Sequence, residues 1–121
     1  MPNGAALRFG GRFSNSTVNW QNGIALGGAD RTINVNEGVG VGFASATDLE
    51  LNLDGLISGS GGLILTGSGD VALNELNTYT GATYIGGAAV GGVTNQMVVW
   101  ANTLADTGIA SSLGAGATVV L

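Results

Sequence analysis

Residues 62–90 read GLILTGSGDVALNELNTYTGATYIGGAAV. Apolar residues alternate in Leu63/Leu65 and Val71/Leu73, Thr83/Ile85 follows the same spacing, and Gly, Ser, Asn and Thr fill the gaps. A period of two places alternate side chains on one face of an extended strand. The pattern runs through the chain at Leu7/Phe9, Val18/Trp20, Ile24/Leu26, Ile33/Val35, Val39/Val41/Phe43, Leu49/Leu51/Leu53, Met97/Val99 and Val119/Leu121. Turn signals separate the runs at Gly10-Gly11, Asn22-Gly23, Gly27-Gly28, Asn36-Glu37-Gly38, Asp54-Gly55, Gly61-Gly62 and Gly86-Gly87. The reading is an all-β chain of at least ten short strands in 121 residues, treated as one segment over 1–121.

Composition decides what the glycines are for. The chain has 23 Gly and one Pro, but 45% of its residues are hydrophobic and 9% charged. Disordered chains have the opposite balance, and a collagen would show a strict Gly-X-Y period. The glycines therefore read as turn residues between strands. Lys, His and Cys are absent, and three Arg (Arg8, Arg12, Arg31) stand against eight acidic residues for a net charge of −5. No basic stripe can be built, so nucleic acid is not an expected partner. Disulfides, thiolate metal sites and thiol nucleophiles are excluded. No run approaches a membrane helix, so no membrane insertion by this segment is expected. Residues 1–30 lack a signal-peptide pattern, so any export element is expected outside the chain or removed from it.

Three architectures compete: a β-sandwich or jelly roll with hairpins at Asn22-Gly23 and Asp54-Gly55, a small barrel, and a β-solenoid. Very short strands with Asn, Thr and Ser between them favour the solenoid, whose stacked polar residues can form hydrogen-bonded ladders. A single coil of this composition does not offset its own ordering entropy, so neighbouring coils must share a core. At the far end, Met97, Trp100 and Leu104 stand at helical spacing after a possible Asn95 cap, but Asn102-Thr103 and Gly108 break it. Residues 97–100 are expected as strand and 102–116 as loop.

Residues 57–90 resemble the passenger-associated β-strand repeat of bacterial autotransporters. The carrying elements are Gly59-Ser60-Gly61-Gly62-Leu63, then Gly67-Ser68-Gly69-Asp70-Val71-Ala72-Leu73, then Asn77-Thr78-Tyr79-Thr80-Gly81 and Thr83-Tyr84-Ile85. Residues 102–114 look like the loop that follows such a repeat. Leu65, Glu75 and Ala88 depart from the residues usual at those places. The resemblance implies a right-handed parallel β-helix exported to the bacterial cell surface, where such repeats form a stalk.

Candidate chemistry is sparse. Asp48, Glu50, Asn52 and Asp54 alternate along one strand before Gly55, partly like a calcium loop. The twelfth position falls on Gly61, however, and alternate side chains lie ~6.5 Å apart, so a solvated strand face is the simpler reading. Gly67–Asp70 has one copy of a glycine-aspartate turn where a calcium-binding repeat needs several. Asp48, Glu50, Asp54, Asp70 and Glu75 could supply a carboxylate pair for glycoside cleavage, but little positive charge stands near them. Gly38–Gly42 lacks the spacing of a dinucleotide fingerprint. Asn15-Ser16-Thr17 matches a glycosylation sequon, which the bacterial origin implied by the resemblance makes a chance match. Trp20, Tyr79, Tyr84 and Trp100 could stack on sugars or cap a core.

The expectation is therefore a structural segment with no catalytic, cofactor-binding or metal-binding residues. Its expected role is stalk or adhesive scaffold of a secreted or cell-surface autotransporter-type passenger. The alternative is an extracellular fibre subunit polymerising by its solenoid ends. A carbohydrate-active β-helix enzyme is the third. Expected partners are neighbouring coils of the same chain or identical subunits, with carbohydrate or cell-surface ligands as the remaining class.

Overall fold

The computed structural model describes residues 6–10, 16–36, 49–87, 89–90, 93–94, 97–116 and 118–121. Val39/Val41/Phe43, the Gly38–Gly42 stretch, Asp48, Arg12, Asn15, Ala88 and Asn95 lie outside them. The strands, in chain order, begin with β1 (Ala6–Phe9), β2 (Val18–Trp20), β3 (Ile24–Ala25), β4 (Arg31–Val35), β5 (Leu49–Leu53) and β6 (Ile57–Ser58). They continue with β7 (Leu63–Gly67), β8 (Asp70–Leu73), β9 (Thr83–Gly87), β10 (Ala89–Val90), β11 (Val93–Thr94), β12 (Val99–Ala101) and β13 (Val119–Val120). No helix occurs among the described residues, so none there could cross a membrane.

Among the described residues the strands form three parallel sheets, each laid down in chain order, and one antiparallel pair. The first is β1-β4-β7-β9-β13, the second β2-β5-β8-β12, and the third β3-β6. Every pair in them is parallel; the antiparallel pair is β10–β11, between β9 and β12. In the first sheet Ala6 pairs with Thr32, Arg31 with Leu63, Leu63 with Thr83 and Thr83 with Val119, so partners stand 26, 32, 20 and 36 positions apart. The third ladder continues past β6 through single hydrogen bonds. Thr78 N donates to Ile57 O (2.9 Å), Thr80 N to Gly59 O (3.0 Å), and Ala115 N to Tyr79 O (2.8 Å). The chain is thus all-β, with the parallel pairing that a β-helix requires.

This arrangement disposes of the sandwich and jelly roll. Those folds join antiparallel neighbours by hairpins, yet Asn22-Gly23 and Asp54-Gly55 join strands that belong to different sheets and do not pair. The second sheet connects to the third ladder by three residues at 21–23, 54–56 and 74–76, and by 102–110 ahead of the Ser111 bridge. Connections from the first sheet to the second differ in length, spanning 10–17, 36–48, 68–69 and 88–98.

All three sheets contribute to one core. Ile33, Val35, Leu63 and Leu65 come from the first, Leu51, Leu53, Val71 and Leu73 from the second, and Ile24 and Ile57 from the third. Each fully buried aliphatic side chain contributes ~1.5–3 kcal/mol. The alternation holds best in the middle of the stack. At the edges, Val18, Val119 and Leu121 are exposed, because no described strand lies beyond them. Strand β12 starts at Val99; Met97 and Val98 precede it without strand pairing. Residues 102–116 carry turns and one isolated antiparallel bridge, Asn77 to Ser111.

Candidate functional site

The Asn77–Gly81 block is interior. Asn77 is buried, and its amide ties together three passes of the chain: Oδ1 accepts from Ile57 N (2.7 Å) and Nδ2 donates to Ser112 O (2.8 Å). Tyr79 is fully buried, and its hydroxyl lies 2.7 Å from Thr83 Oγ1. Thr83 Oγ1 in turn donates to Leu113 O (3.0 Å). Burial pushes the Tyr79 phenol up to about 12, with the Thr83 hydrogen bond opposing the shift. A Cβ on Gly81 would collide with the backbone of Gly61 and Gly62. One on Gly114, at φ +81°, would lie 2.7 Å from the Tyr79 ring. Glycine is required at both places. Tyr79 therefore cannot stack on a sugar; it fills the core.

The carboxylates serve the backbone. Glu50 accepts from Asp70 N. Asp54 Oδ1 accepts from Asn74 Nδ2 (2.7 Å), and Asp30 Oδ1 from Gly62 N (2.7 Å). Asp70 is buried and accepts from Val98 N (3.2 Å), which links β8 to the start of the next pass. Burial holds its carboxyl above the usual aspartate value, more than the Val98 bond lowers it. Glu75 is exposed at the corner between the second and third ladders, away from the buried Asp70. Among the described residues no three His, Cys, Asp or Glu come together to hold a metal ion. Of the cations, Arg8 is exposed, and Arg31 is buried with Nε donating to Leu26 O (2.9 Å).

The outward faces carry amides and rings. Asn52 Nδ2 donates to Asn19 Oδ1 (2.8 Å), Asn74 Nδ2 to Asn52 Oδ1 (3.3 Å) and Asn102 Nδ2 to Asn74 Oδ1 (3.3 Å). These four asparagines come from four successive strands of the second ladder or the corner just after them. On the first sheet, Asn36 donates to Asn34 (2.6 Å) and Asn34 to Thr66 (3.0 Å). Trp20 is half-buried and meets Phe9 edge-on, with ring centroids 5.7 Å apart; its indole Nε1 is buried without a partner. Tyr84 is partly exposed, and Trp100 is 57% exposed.

Sequence reasoning named every one of these aromatic residues but not their division into core and surface. The signal for Tyr79 was local: Thr83, four residues on, supplies the polar partner that a buried phenol needs. In comparisons with known proteins, the chain matches no family model, no curated sequence and no solved structure.

Proposed function

We propose that this chain is a structural β-solenoid segment, a right-handed parallel β-helix serving as stalk or adhesive scaffold of an exported, autotransporter-type cell-surface protein. The observation that carries the reading is the set of three in-order parallel ladders around one core. The Asn77–Gly81 block supports it further, since that motif spends its polar groups on neighbouring passes rather than on a ligand. A scaffold has no need of clustered carboxylates, and those described here hydrogen-bond backbone and amide groups. Labelling intact cells of the source bacterium with antibody against the folded chain tests export. Surface labelling removed by external protease is the expected result, and strictly intracellular protein refutes the reading.

A second reading, an extracellular fibre subunit, draws on one feature. Val119 and Val120 of β13, and Leu121 just after it, are exposed at the edge of the first sheet among the described residues. Unpaired parallel edges are templates for a further strand. Sedimentation over a concentration series tests it, and a monomer throughout refutes it.

A further inference from the structure

The outer face of the second sheet combines an exposed indole with a fixed row of amides. Register places Asn19, Asn52, Ala72 and Trp100 in one column across β2, β5, β8 and β12. Two residues further along those strands, hydrogen bonds join Asp54, Asn74 and Asn102 in a second column. Side chains two apart on a strand share a face; on β5 and β8 the residues between the columns, Leu53 and Leu73, are buried, while Ala72 is covered and on β12 Ala101 is exposed as well. Trp100 and Asn102 therefore stand side by side on the outside, both exposed.

Three properties of this face select a ligand class. The first is an open aromatic ring with little of its own packing to lose. The second is preorganisation: the amides are held by one another, so little side-chain entropy remains to be lost on binding. Asn102 uses its amide NH2 on Asn74, and Asp54 uses one oxygen on Asn74, which leaves acceptor capacity on both residues. The third is charge. Asp54 and Glu50 are acidic residues of this sheet region, while Arg8 and Arg31 belong to the first sheet. Anionic polymers are repelled here. A purely apolar partner would bury the amides and Asp54 without hydrogen bonds. A neutral sugar meets all three conditions, with an apolar ring face for the indole and hydroxyls for the amide and carboxylate oxygens. Successive strands lie ~4.8 Å apart, comparable to the advance of one pyranose unit in an extended chain.

We propose that the outer face of the second sheet binds an extended neutral β-linked glycan, with Trp100 stacking on a sugar ring and Asn102 and Asp54 accepting hydrogen bonds from its hydroxyls. The proposal rests on the sheet geometry, not on export, so it can fail or succeed independently of the scaffold reading.

The test is titration calorimetry of the full chain with cellohexaose, laminarihexaose and chitohexaose, with an oligogalacturonate as the acidic counterpart. Saturable binding of at least one neutral hexasaccharide, without binding of the acidic one, is expected. Trp100→Ala should weaken it ~10-fold or more, and Asn102→Ala ~5-fold. Melting temperatures should barely move, because both side chains are exposed. No saturable heat from any neutral hexasaccharide up to ~10 mM overturns the proposal. Equal binding of oligogalacturonate, or binding indifferent to Trp100→Ala, does so too. If sedimentation instead shows dimers that Trp100→Ala dissolves and sugars leave intact, the face belongs to a second copy and the proposal fails.

Discussion

Replacing Asn77 should be among the most damaging single changes in this chain, although it alters neither charge nor an apolar side chain. In Asn77→Ala, the Ile57 amide loses its acceptor and the Ser112 carbonyl its donor. Both residues are fully buried, so water does not replace the amide. A buried polar group left unpaired costs ~1–3 kcal/mol, so the two together cost ~2–6 kcal/mol. For a domain of this size that is a fall in melting temperature on the order of 10–20 °C. Asn77→Asp separates the hydrogen bonds from the volume. Its carboxylate can still accept from Ile57 N, but its other oxygen faces the Ser112 carbonyl. Burial and that acceptor raise its pKa above the unfolded value of ~3.9. An acid with a raised folded pKa keeps its full stability below the unfolded value and loses it as pH rises through the folded one. Asn77→Asp should therefore approach wild type below about pH 4, where the protonated acid can donate to Ser112 O. Asn77→Ala should show no such recovery. Urea unfolding followed by circular dichroism at several pH values reads both. A loss below ~1 kcal/mol for Asn77→Ala, or parallel pH profiles for the two variants, refutes the reasoning.

Three further outcomes are expected. Leu51→Asp places a carboxylate where the side chain is fully buried and should cost several kcal/mol; an unchanged urea midpoint would show that Leu51 does not face the core. The Tyr79 phenol is raised to about 12, so wild-type stability should fall as pH climbs from about 10 to 12. Tyr79→Phe should lose that alkaline slope and ~1 kcal/mol at neutral pH, and a slope shared by both proteins in alkaline urea melts contradicts the assignment. Asp70 has its pKa raised by burial, so ionising it costs stability as pH rises past its usual value. Asp70→Asn should melt higher than wild type at pH 7, with the gap closing in acid; a lower melting temperature at pH 7 counts against this.

The strands were legible because burial on one face imposes a period of two on residues close in sequence. Leu51 and Leu53, Ile33 and Val35, and Leu63 and Leu65 all declare their inward face and keep it. The partners were less legible. Pairing joins residues 20 to 36 positions apart with no common repeat, so nothing local says that Asn52 will meet both Asn19 and Asn74. Tyr79 and Trp100 looked alike as rings with polar handles. One is sealed inside and the other is open because of what stacks above and below each, which alternation does not encode. Glu50 lies on β5 and Asp54 just past its end, and their hydrogen bonds run to Asp70 and Asn74, on the following pass and its corner. Met97, Trp100 and Leu104 have helical spacing, but the breakers Asn102-Thr103 and Gly108 point to strand over 97–100 and loop beyond; Trp100 does lie in a strand, β12, paired with Ala72, though that strand starts at Val99.

The connections between the parallel sheets differ in how much they vary. Where the second sheet turns into the third, three residues suffice at 21–23, 54–56 and 74–76, and only the last pass takes more, 102–110. Where the first turns into the second, the connection shrinks to Ser68-Gly69 once and runs to 36–48 elsewhere. Lengthening a flexible connection costs little, about 0.6 kcal/mol per doubling, provided that it projects away from the packed interior. Variation in connection length is thus greatest between the first sheet and the second. A foreign epitope or peptide spliced at Ser68-Gly69 would lengthen a connection that is longer on every other pass, whereas the same graft at 54–56 would pry open a three-residue junction between sheets that share a core.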